Sequence, residues 1–309
     1  MHEDAPSAIC LAAERVGHLQ QAAEEKGLVR DWAFEASRAG SWFRRQRIRD
    51  FLFRLRPAPR TRVLRAATSA DRWILYFLFL PDGQLTPAHR FTLARLARTG
   101  MKRLVLCATP HQEDVPAELH DLSDALIWKA LSGFDFSAYA AGLRHLARRS
   151  SGCDVFVMND SVLGPFADLD ALMDRAKWDL TGITGSGNEE NHVQSYAFIL
   201  RGVTRSRLWG LRTIFPPGAA FDDFAAVVRS QETRFARVAA RRMSVGAFWF
   251  AAWSVENPDP TLFAADVLLD QGFPFIKKSA LAKFRHVVGH VMAAKLDARL
   301  AAYGHPLFP

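Results

Sequence analysis

The sequence has few cysteines, and their spacing excludes the usual cysteine-based sites. Cys10, Cys107 and Cys153 are the three cysteines in a chain of 309 residues, and they lie far apart. Structural zinc sites need closely spaced cysteine pairs, and disulfide-stabilised domains carry even numbers of cysteines. We therefore expect a protein of a reducing compartment, without a disulfide framework.

Long apolar runs are also missing. The longest run covers residues 73–80, whereas a membrane-spanning helix needs roughly 20 apolar residues. Residues 1–17 have neither the basic start nor the continuous apolar core of a signal peptide. These features predict a cytoplasmic protein, and they leave peripheral contact with the inner face of the cytoplasmic membrane open.

Internal repeats and low-complexity segments are absent as well. The composition, with 49% hydrophobic and 23% charged residues, is typical of a globular protein. A chain of this length can bury a large core, so we expect one large domain or one domain with an extension.

Outside one short segment, the sequence has no excess of either charge. Residues 41–65 contain one acid, Asp50, and nine arginines, at positions 44, 45, 47, 49, 54, 56, 60, 62 and 65. This segment alone therefore accounts for the whole net charge of +8. The basic character belongs to one patch and not to the fold.

The basic patch has three interpretations. Ile48, Phe51, Leu52 and Leu55 fall on one helical face, and a basic amphipathic helix can lie on an anionic membrane surface. The arginines could equally pair with acids elsewhere in the fold. Arginines also bind nucleic acid phosphates, but the remainder of the chain is neutral and has no reader motif, so we expect no nucleic acid partner.

Beyond residue 65, short apolar runs alternate with helical patterns. This order predicts an α/β domain with a mostly parallel central sheet, spanning residues 66–309 and ending in a helical tail. Pro57 and Pro59 separate this domain from residues 1–65, which we interpret as a basic helical extension. The predicted strands are residues 73–80, 103–108, 125–129, 154–158, 179–184 and 195–200, of which the last could run antiparallel.

Several polar residues follow predicted strands, where parallel sheets bind their ligands. In VFVMNDSVLGPF (155–166), Asn159, Asp160 and Ser161 come directly after a buried strand. These side chains could bind a pyrophosphate, ribose hydroxyls or, through the carboxylate, a divalent ion. Asp and Asn are also common turn formers, so a purely structural turn stays open. Asp82 and Gly83 occupy the corresponding position after the strand at 73–80.

Two further segments carry candidate binding residues. In SGFDFSAY (132–139), Gly133 permits an unusual backbone conformation, and Asp135 lies where a helix would begin. In NHVQSYAF (191–198), His192, Gln194 and Tyr196 would share one face of an extended chain and could bind sugar hydroxyls. Helix capping and structural roles remain alternatives for these residues.

Taken in order, these segments resemble the rhamnan synthesis protein F family of polysaccharide glycosyltransferases. The resemblance covers roughly residues 72–282 and omits the basic N-terminal segment. Each motif is short, but the ordered set is specific. The motifs are WILYFLFL (73–80), GFDFSAYAAGL (133–143), NDSVLGPF (159–166), WDLTGIT (178–184), HVQSYAF (192–198), NPDPTLF (257–263) and GFPFIKKSAL (272–281).

The resemblance implies a Rossmann-like fold of the glycosyltransferase A type and a function in bacterial surface polysaccharide synthesis. The implied donor is a nucleotide-sugar, often of rhamnose or a similar deoxyhexose, and the acceptor is a growing glycan or lipid-linked oligosaccharide. Carried over by position, the donor-binding residues are Asp82, Gly83, Gly133, Asp135, Asn159, Asp160 and Ser161. His192, Gln194 and Lys277 would contact donor or acceptor sugar. Glu232 is the expected general base, with Asp222 and Asp223 as rivals, and Asp160 is the second catalytic candidate.

Two departures from the family pattern affect these expectations. Leu131 stands where the family tends to carry Asn, which removes one polar contact to the donor. Asn159-Asp160-Ser161 supplies one carboxylate, whereas metal-dependent A-type enzymes present Asp-x-Asp, so a Mg²⁺ or Mn²⁺ ion at Asp160 is not assured. The same departures motivate the alternative of a non-catalytic relative that binds glycan or nucleotide-sugar and scaffolds polysaccharide assembly.

Overall fold

Strands and helices alternate along most of the chain in the computed structural model, which describes residues 27–252 and 259–306. The strands are β1 (Leu28–Ala33), β2 (Leu55–Pro57), β3 (Thr61–Arg65), β4 (Arg72–Phe79), β5 (Lys102–Ala108), β6 (Ala125–Lys129), β7 (Cys153–Asn159), β8 (Val162–Leu163), β9 (Leu180–Ser186), β10 (His192–Val193), β11 (Ala197–Val203), β12 (Ala219–Phe221), β13 (Val245–Ala251) and β14 (Ile276–Lys277). The helices are α1 (Ser41–Phe53), α2 (Pro87–Leu96), α3 (Leu119–Leu122), α4 (Phe134–Arg149), α5 (Leu169–Arg175), α6 (Arg205–Gly210), α7 (Phe224–Val227), α8 (Thr233–Ala239), α9 (Pro260–Phe263), α10 (Ala265–Asp270), α11 (Lys278–Leu281), α12 (Arg285–Val288) and α13 (His290–Ala302). A π-helical segment, Val228–Glu232, joins α7 to α8.

Ten strands form the main sheet, in the order β1-β13-β9-β11-β7-β4-β5-β6-β3 with β10 beside β9. The central strands β7, β4, β5 and β6 are all parallel, and β9 and β13 run in the same direction at one side. β11 runs antiparallel between β7 and β9. The predicted Rossmann-like α/β fold with a mostly parallel central sheet is confirmed, and so are the six predicted strands.

Helices cover both faces of this sheet, which explains why its strands read as unbroken apolar runs. Along β4, Leu75 and Phe77 pack in one cluster with α4, whereas Tyr76 and Leu78 pack in a second cluster with α2 and α5. Gly142 of α4 lies so close to β4 that a Cβ atom there would come within 2.4 Å of the Leu75 side chain. The core therefore consists of two apolar layers on either side of the strands.

The N-terminal segment joins the main sheet at both of its edges. β1 pairs antiparallel with β13, and β3 pairs antiparallel with β6. The prediction of a helical segment is therefore correct for α1 and wrong for β1, β2 and β3, while residues 1–26 lie outside the described residues. Edge strands gain stability from pairing and stacking, such as Trp32 on Phe250 at 4.1 Å, which the local sequence does not reveal. The boundary between residues 65 and 66 stays a prediction.

Helix α1 buries only part of the face expected from its apolar residues, since Phe51 is half-buried against the core. Ile48 and Leu52 are exposed, and the buried residues of the helix are Phe43, Arg47 and Asp50. Arg47 forms a buried ion pair with Glu190. Part of the arginine patch therefore pairs with acids elsewhere in the fold. The ion pairs on the inner side of α1 set the orientation of the helix.

The C-terminal tail is helical, as predicted. Helices α9 to α13 pack around a third apolar cluster that includes Leu262, Ile276, Leu296 and Leu300. Within residues 27–252 and 259–306, no helix combines the length and apolar character needed to cross a bilayer.

Candidate functional site

A cleft opens at the carboxyl edge of the central strands, where parallel sheets place their ligand sites. It consists of two adjoining cavities of about 600 and 610 Å³. One cavity is mainly apolar and contains four phenylalanines, Phe77, Phe79, Phe134 and Phe224. The other is rich in polar side chains from β9, β10 and the C-terminal region. The residues that line both cavities are Asp135, Asn159, Ser195, Phe224, Val228 and Glu232.

Most of the predicted site residues meet in this cleft. Those that line it are Asp135, Asn159, Ser161, His192, Gln194, Glu232 and Lys277. Gly133 lies directly behind the lining, where its backbone N–H donates to Asp222 at 2.8 Å. Asp82, Gly83 and Asp160 line neither cavity. The roles assigned to all of these residues remain predictions.

Glu232 lies at the junction of the two cavities. One carboxylate oxygen accepts a hydrogen bond from the Ser195 hydroxyl, and the other lies 3.8 Å from Nε2 of His192. The π-helical segment ends at this residue, and such segments occur frequently at functional sites. Glu232 is therefore held by two polar neighbours and still reaches the cleft, as a proton acceptor must.

Asp135 is the second carboxylate at the junction. Its Oδ2 accepts a hydrogen bond from the Asn159 amide at 3.1 Å, and its Oδ1 accepts one from the backbone N–H of Phe136 at 2.9 Å. Burial, together with the negative charge of Glu232, raises the pKa of Asp135 to about 7. The Asn159 side-chain oxygen accepts from the Ser161 hydroxyl at 2.6 Å. Asp135, Asn159 and Ser161 thus form a hydrogen-bonded chain whose first member changes protonation near neutral pH.

The loop between β6 and α4 forms one wall of the apolar cavity, and its shape depends on Gly133 and Lys129. Gly133 has φ of +86°, and a Cβ atom at this position would lie 2.8 Å from the Ser137 hydroxyl oxygen. The buried ammonium of Lys129 donates to the carbonyl oxygens of Ala130 at 2.9 Å and Ser132 at 2.6 Å. Burial lowers the pKa of Lys129 to about 8. Lys129 was not predicted as a site residue, because the sequence shows it only as the last residue of a strand.

The polar cavity is held by its own hydrogen bonds. The Thr184 hydroxyl donates to the Gln194 side-chain oxygen at 2.6 Å and lies 2.6 Å from the Tyr196 hydroxyl. Lys277 lies 4.9 Å from the centre of the Tyr196 ring and donates to Asp259 at 3.1 Å. His192, Gln194 and Tyr196 all line this cavity.

Asp259 also lines the cleft. It lies in the NPDPTLF motif but was not among the predicted site residues. Burial acts to raise its pKa, but Lys277 and the hydrogen bonds from Thr261 hold that pKa below its usual value. Asp259 therefore remains ionised and balances the charge of Lys277. Asn257 and Pro258 of the same motif lie outside the described residues.

Asp160 points away from the cleft, because successive residues at a strand end face opposite sides. Its Oδ2 accepts a hydrogen bond from the backbone N–H of Phe79 at 3.1 Å and lies 3.6 Å from Nε2 of His89. The ammonium of Lys278 is 3.3 Å from the same His89 nitrogen. Magnesium and manganese ions favour several oxygen ligands, whereas Asp160 has a histidine and a lysine close by. These neighbours do not fit a divalent ion.

Asp82 and Gly83 form a tight turn after β4. The Asp82 carboxylate accepts from the backbone N–H of Gln84 at 3.1 Å, and Gly83 has φ of +70°. A Cβ atom at Gly83 would lie 2.9 Å from the carbonyl oxygen of Asp114, so the turn packs against the loop after β5. The conformation and packing of this turn explain why an aspartate and a glycine occupy these two positions.

The chain matches a known protein family. Residues 104–302 match the family model of rhamnan synthesis protein F. No curated protein matches the chain.

Two solved structures are similar at low sequence identity. The first is described as a nucleotide-diphospho-sugar transferase, from Desulfovibrio desulfuricans G20, with 14% identity, a TM-score of 0.37 and coverage of 76% of this chain and 98% of that chain. The second is 4-diphosphocytidyl-2C-methyl-D-erythritol synthase from Anaerococcus prevotii DSM 20548, with 11% identity, a TM-score of 0.36 and coverage of 66% and 96%. Because both TM-scores are low, the assignment rests on the family match.

The matched range runs from within β5 to the end of α13, so it holds most of the cleft. It includes Asp135, Asn159, Ser195, Glu232 and Lys277, although β4 and α1 lie before it. The match covers more than half of the chain, and the chain belongs to the rhamnan synthesis protein F family, a membership that supports a glycosyltransferase-type role.

Proposed function

We propose that this protein is a glycosyltransferase of bacterial surface polysaccharide synthesis. It transfers rhamnose or a similar deoxyhexose from a nucleotide-sugar donor to a growing glycan or lipid-linked oligosaccharide. The observation that carries this proposal is the position of Glu232. Its carboxylate is held by Ser195 and His192 at the junction of an aromatic cavity and a polar one.

The aromatic cavity suits the nucleoside of the donor. Phe134 and Phe224 are both exposed, with ring centres 6.3 Å apart, at its mouth. Nucleobases stack favourably on aromatic side chains, and the loop around Gly133 offers backbone groups beside them. Leu131 lines the same cavity, so this part of the donor site is apolar where the family tends to carry Asn.

The polar cavity suits the sugars. His192, Gln194 and Ser161 present nitrogen and oxygen atoms that can bind sugar hydroxyls. Lys277 adds a positive charge, which favours the negative charge that develops on the departing diphosphate. Asp259 keeps this lysine in place through their ion pair of 3.1 Å.

In the proposed reaction Glu232 acts as the general base of an inverting transfer. It accepts the proton of the acceptor hydroxyl while the acceptor oxygen bonds to the anomeric carbon of the donor. The bond between that carbon and the diphosphate oxygen breaks, and its electron pair leaves with the diphosphate. The Ser195 hydroxyl and the His192 ring orient the carboxylate. Asp135, with a pKa of about 7, can donate a hydrogen bond while it is protonated.

A thermal-shift screen against dTDP-rhamnose and GDP-, UDP- and CMP-sugars, each with and without Mn²⁺, tests this function. A ligand at 100 times its dissociation constant stabilises the folded state by roughly 2.7 kcal/mol. We expect stabilisation by one class of donor, without a requirement for Mn²⁺, and transfer of its sugar to a glycan acceptor. Lack of stabilisation by every donor would refute the proposal. Binding without turnover would favour the non-catalytic relative.

A further inference from the structure

Helix α1 presents four large apolar side chains to solvent and buries two charged ones, which is unusual for a surface helix. Trp42, Ile48, Leu52 and Phe53 are each between 62% and 68% exposed. Arg47 and Asp50, by contrast, are 5% and 1% exposed. Four large apolar side chains exposed on one helix indicate an interaction site.

The inward contacts of α1 hold it in this orientation. Arg47 pairs with Glu190 and donates to the Thr233 hydroxyl at 2.8 Å. Asp50 accepts two hydrogen bonds from the Arg229 guanidinium, at 2.9 and 3.0 Å. Rotating the helix to bury its apolar side would take Arg47 away from the buried Glu190 carboxylate and Asp50 away from Arg229, and the loss of a buried ion-pair partner is costly. The apolar residues therefore stay outside.

The outward face carries positive charge beside its apolar residues. Arg44, Arg45 and Arg49 are exposed, and none of them forms an ion pair with any residue in the described part of the chain. The one acid of residues 41–65, Asp50, is buried and paired with Arg229. The exposed side of the helix therefore carries no carboxylate that would repel an anionic partner.

We propose that the outward face of α1 docks on an anionic phospholipid bilayer. Trp42, Ile48, Leu52 and Phe53 enter the interfacial region of the lipid, and the three exposed arginines bind headgroup phosphates. Apolar insertion combined with positive charge fits a lipid surface, whose interior is apolar and whose headgroup layer is negative.

The docking connects to the proposed function through the opposite side of the helix. Phe43 lines the polar cavity, so α1 separates the cleft from the docking face by the width of one helix. An acceptor attached to a lipid would reach the cleft from the membrane on which α1 lies. This placement of the acceptor rests on the proposed function, whereas the docking itself does not.

Co-sedimentation with vesicles tests the docking without donor or acceptor. The probes are vesicles of phosphatidylcholine alone and of phosphatidylcholine mixed with phosphatidylglycerol. We expect strong binding to the mixed vesicles and weak binding to the neutral ones. Each arginine near the lipid contributes about fivefold to binding, so a variant with Arg44→Gln, Arg45→Gln and Arg49→Gln should bind on the order of a hundredfold more weakly.

A second variant tests the apolar contribution, and a third is the matched control. Leu52→Ser with Phe53→Ser should lower binding to mixed vesicles by at least about tenfold, because two side chains no longer enter the lipid. Arg98→Gln with Val291→Ser removes one exposed arginine and one exposed apolar residue outside α1, and it should bind as the wild type does. All three variants change exposed side chains and should keep the wild-type circular dichroism spectrum.

Three results would overturn the docking. One is equal binding to neutral and mixed vesicles, and another is unchanged binding in both α1 variants. The third is a stable dimer in light scattering, without lipid, that Leu52→Ser with Phe53→Ser converts to a monomer, since the face would then be covered by a second copy. Donor-induced thermal shifts that persist in the α1 variants would show that the transferase proposal survives a failure of the docking.

Discussion

The two halves of the cleft differ in how their side chains are held. In the polar half, Thr184, Gln194, Tyr196 and neighbouring groups are joined by hydrogen bonds of 2.6 Å and by the Lys277–Asp259 ion pair. In the apolar half, the rings of Phe134 and Phe224 are exposed and tilted toward each other without a polar partner. Hydrogen-bonded groups are suited to specific recognition of hydroxyls, whereas exposed rings tolerate different flat ligands. We therefore expect the polar half to determine sugar specificity and the apolar half to contribute affinity for the nucleoside.

The carboxylate of Glu232 is shared by both halves of the cleft, and its removal should have the largest effect. Glu232→Gln keeps the size of the side chain but removes its ability to accept a proton. General-base catalysis contributes about 10²- to 10⁴-fold, so kcat should fall by that factor while the dissociation constant of the donor changes by less than about threefold. Transfer kinetics and donor titration measure the two effects.

The exposed pair Arg90–Glu118 supplies a matched control for this substitution, because Glu118 lines neither cavity of the cleft. Glu118→Gln should leave kcat unchanged. A Glu232→Gln enzyme with nearly normal turnover would exclude Glu232 as the base and turn attention to Asp222 or Asp135.

Arg47 supports the π-helical segment that lies between the two halves of the cleft, and its replacement should lower the stability of the fold. Arg47→Met leaves Glu190 buried with Arg237 as its remaining ion-pair partner, and it removes the hydrogen bond from Arg47 to the Arg229 carbonyl in the π-helical segment that carries Glu232. Breaking a buried pair costs about 3 kcal/mol, which denaturant unfolding would measure. Arg44→Met changes an exposed arginine of the same helix and should alter the free energy of unfolding by less than about 0.5 kcal/mol. Equal effects of the two substitutions would contradict the importance of the buried pair.

A change confined to the apolar half tests the role of its aromatic rings. Phe134→Ala removes a ring that lines the apolar cavity but not the polar one and is 38% exposed, so its loss should cost less stability than the loss of a core ring. Loss of one base–aromatic stack costs about 1–3 kcal/mol, and the donor should bind roughly tenfold more weakly with little change in sugar preference. Isothermal titration with donors that share a nucleotide but differ in sugar checks this expectation. A switch in sugar preference would show that the nucleoside does not occupy the apolar half.

At the junction of the two cavities we expect a small pH dependence of the free energy of unfolding. The pKa of Asp135 is about 7 in the folded protein against an ordinary value of 3.8. Between these values the folded state binds the extra proton, so Asp135 stabilises the fold at low pH and this contribution is lost as the pH rises through about 7. Because the residue is only half-buried, we expect the wild type to lose about 1 kcal/mol more than Asp135→Asn between about pH 5.5 and about pH 8.

Denaturant unfolding of both proteins at the two pH values measures this difference. Asp154→Asn changes a carboxylate outside the cleft lining and serves as the control. Parallel pH profiles for the wild type and Asp135→Asn would mean that Asp135 titrates well below neutrality.

The central strands were predictable from sequence because helices cover them on both faces. Residues 73–78 are all buried, and a strand buried on both sides must be apolar throughout. The edge strand β1 has a mixed pattern, LVRDWA, in which only Leu28 and Trp32 are buried. Such a pattern does not distinguish an edge strand from a helix or a loop, because its stability comes from pairing with β13.

The site was predictable in part for a similar reason. Strand ends in a parallel sheet meet at one edge, so Asn159 and Asp135 could be expected to lie together. Alternation at the strand end puts Asn159 and Asp160 on opposite sides, whereas the sequence motif placed both in the cleft. Which of the two faces the cleft depends on the tertiary structure. Lys129 and Asp259 were missed because their importance depends on carbonyl groups and on Lys277, whose positions follow from tertiary packing.

Six strands of the main sheet, its mostly parallel core and the family follow from the sequence alone, because these depend on local apolar patterns and ordered motifs. Which residues meet follows only from the tertiary fold. Glu232 and Ser195 are 37 residues apart in the chain, and Arg47 and Glu190 are 143 apart. No local pattern encodes such pairs, since each member gains its burial and its partner only when the sheet brings distant segments together. The orientation of α1 follows from those pairs, and so does the apolar, arginine-rich face that it turns outward.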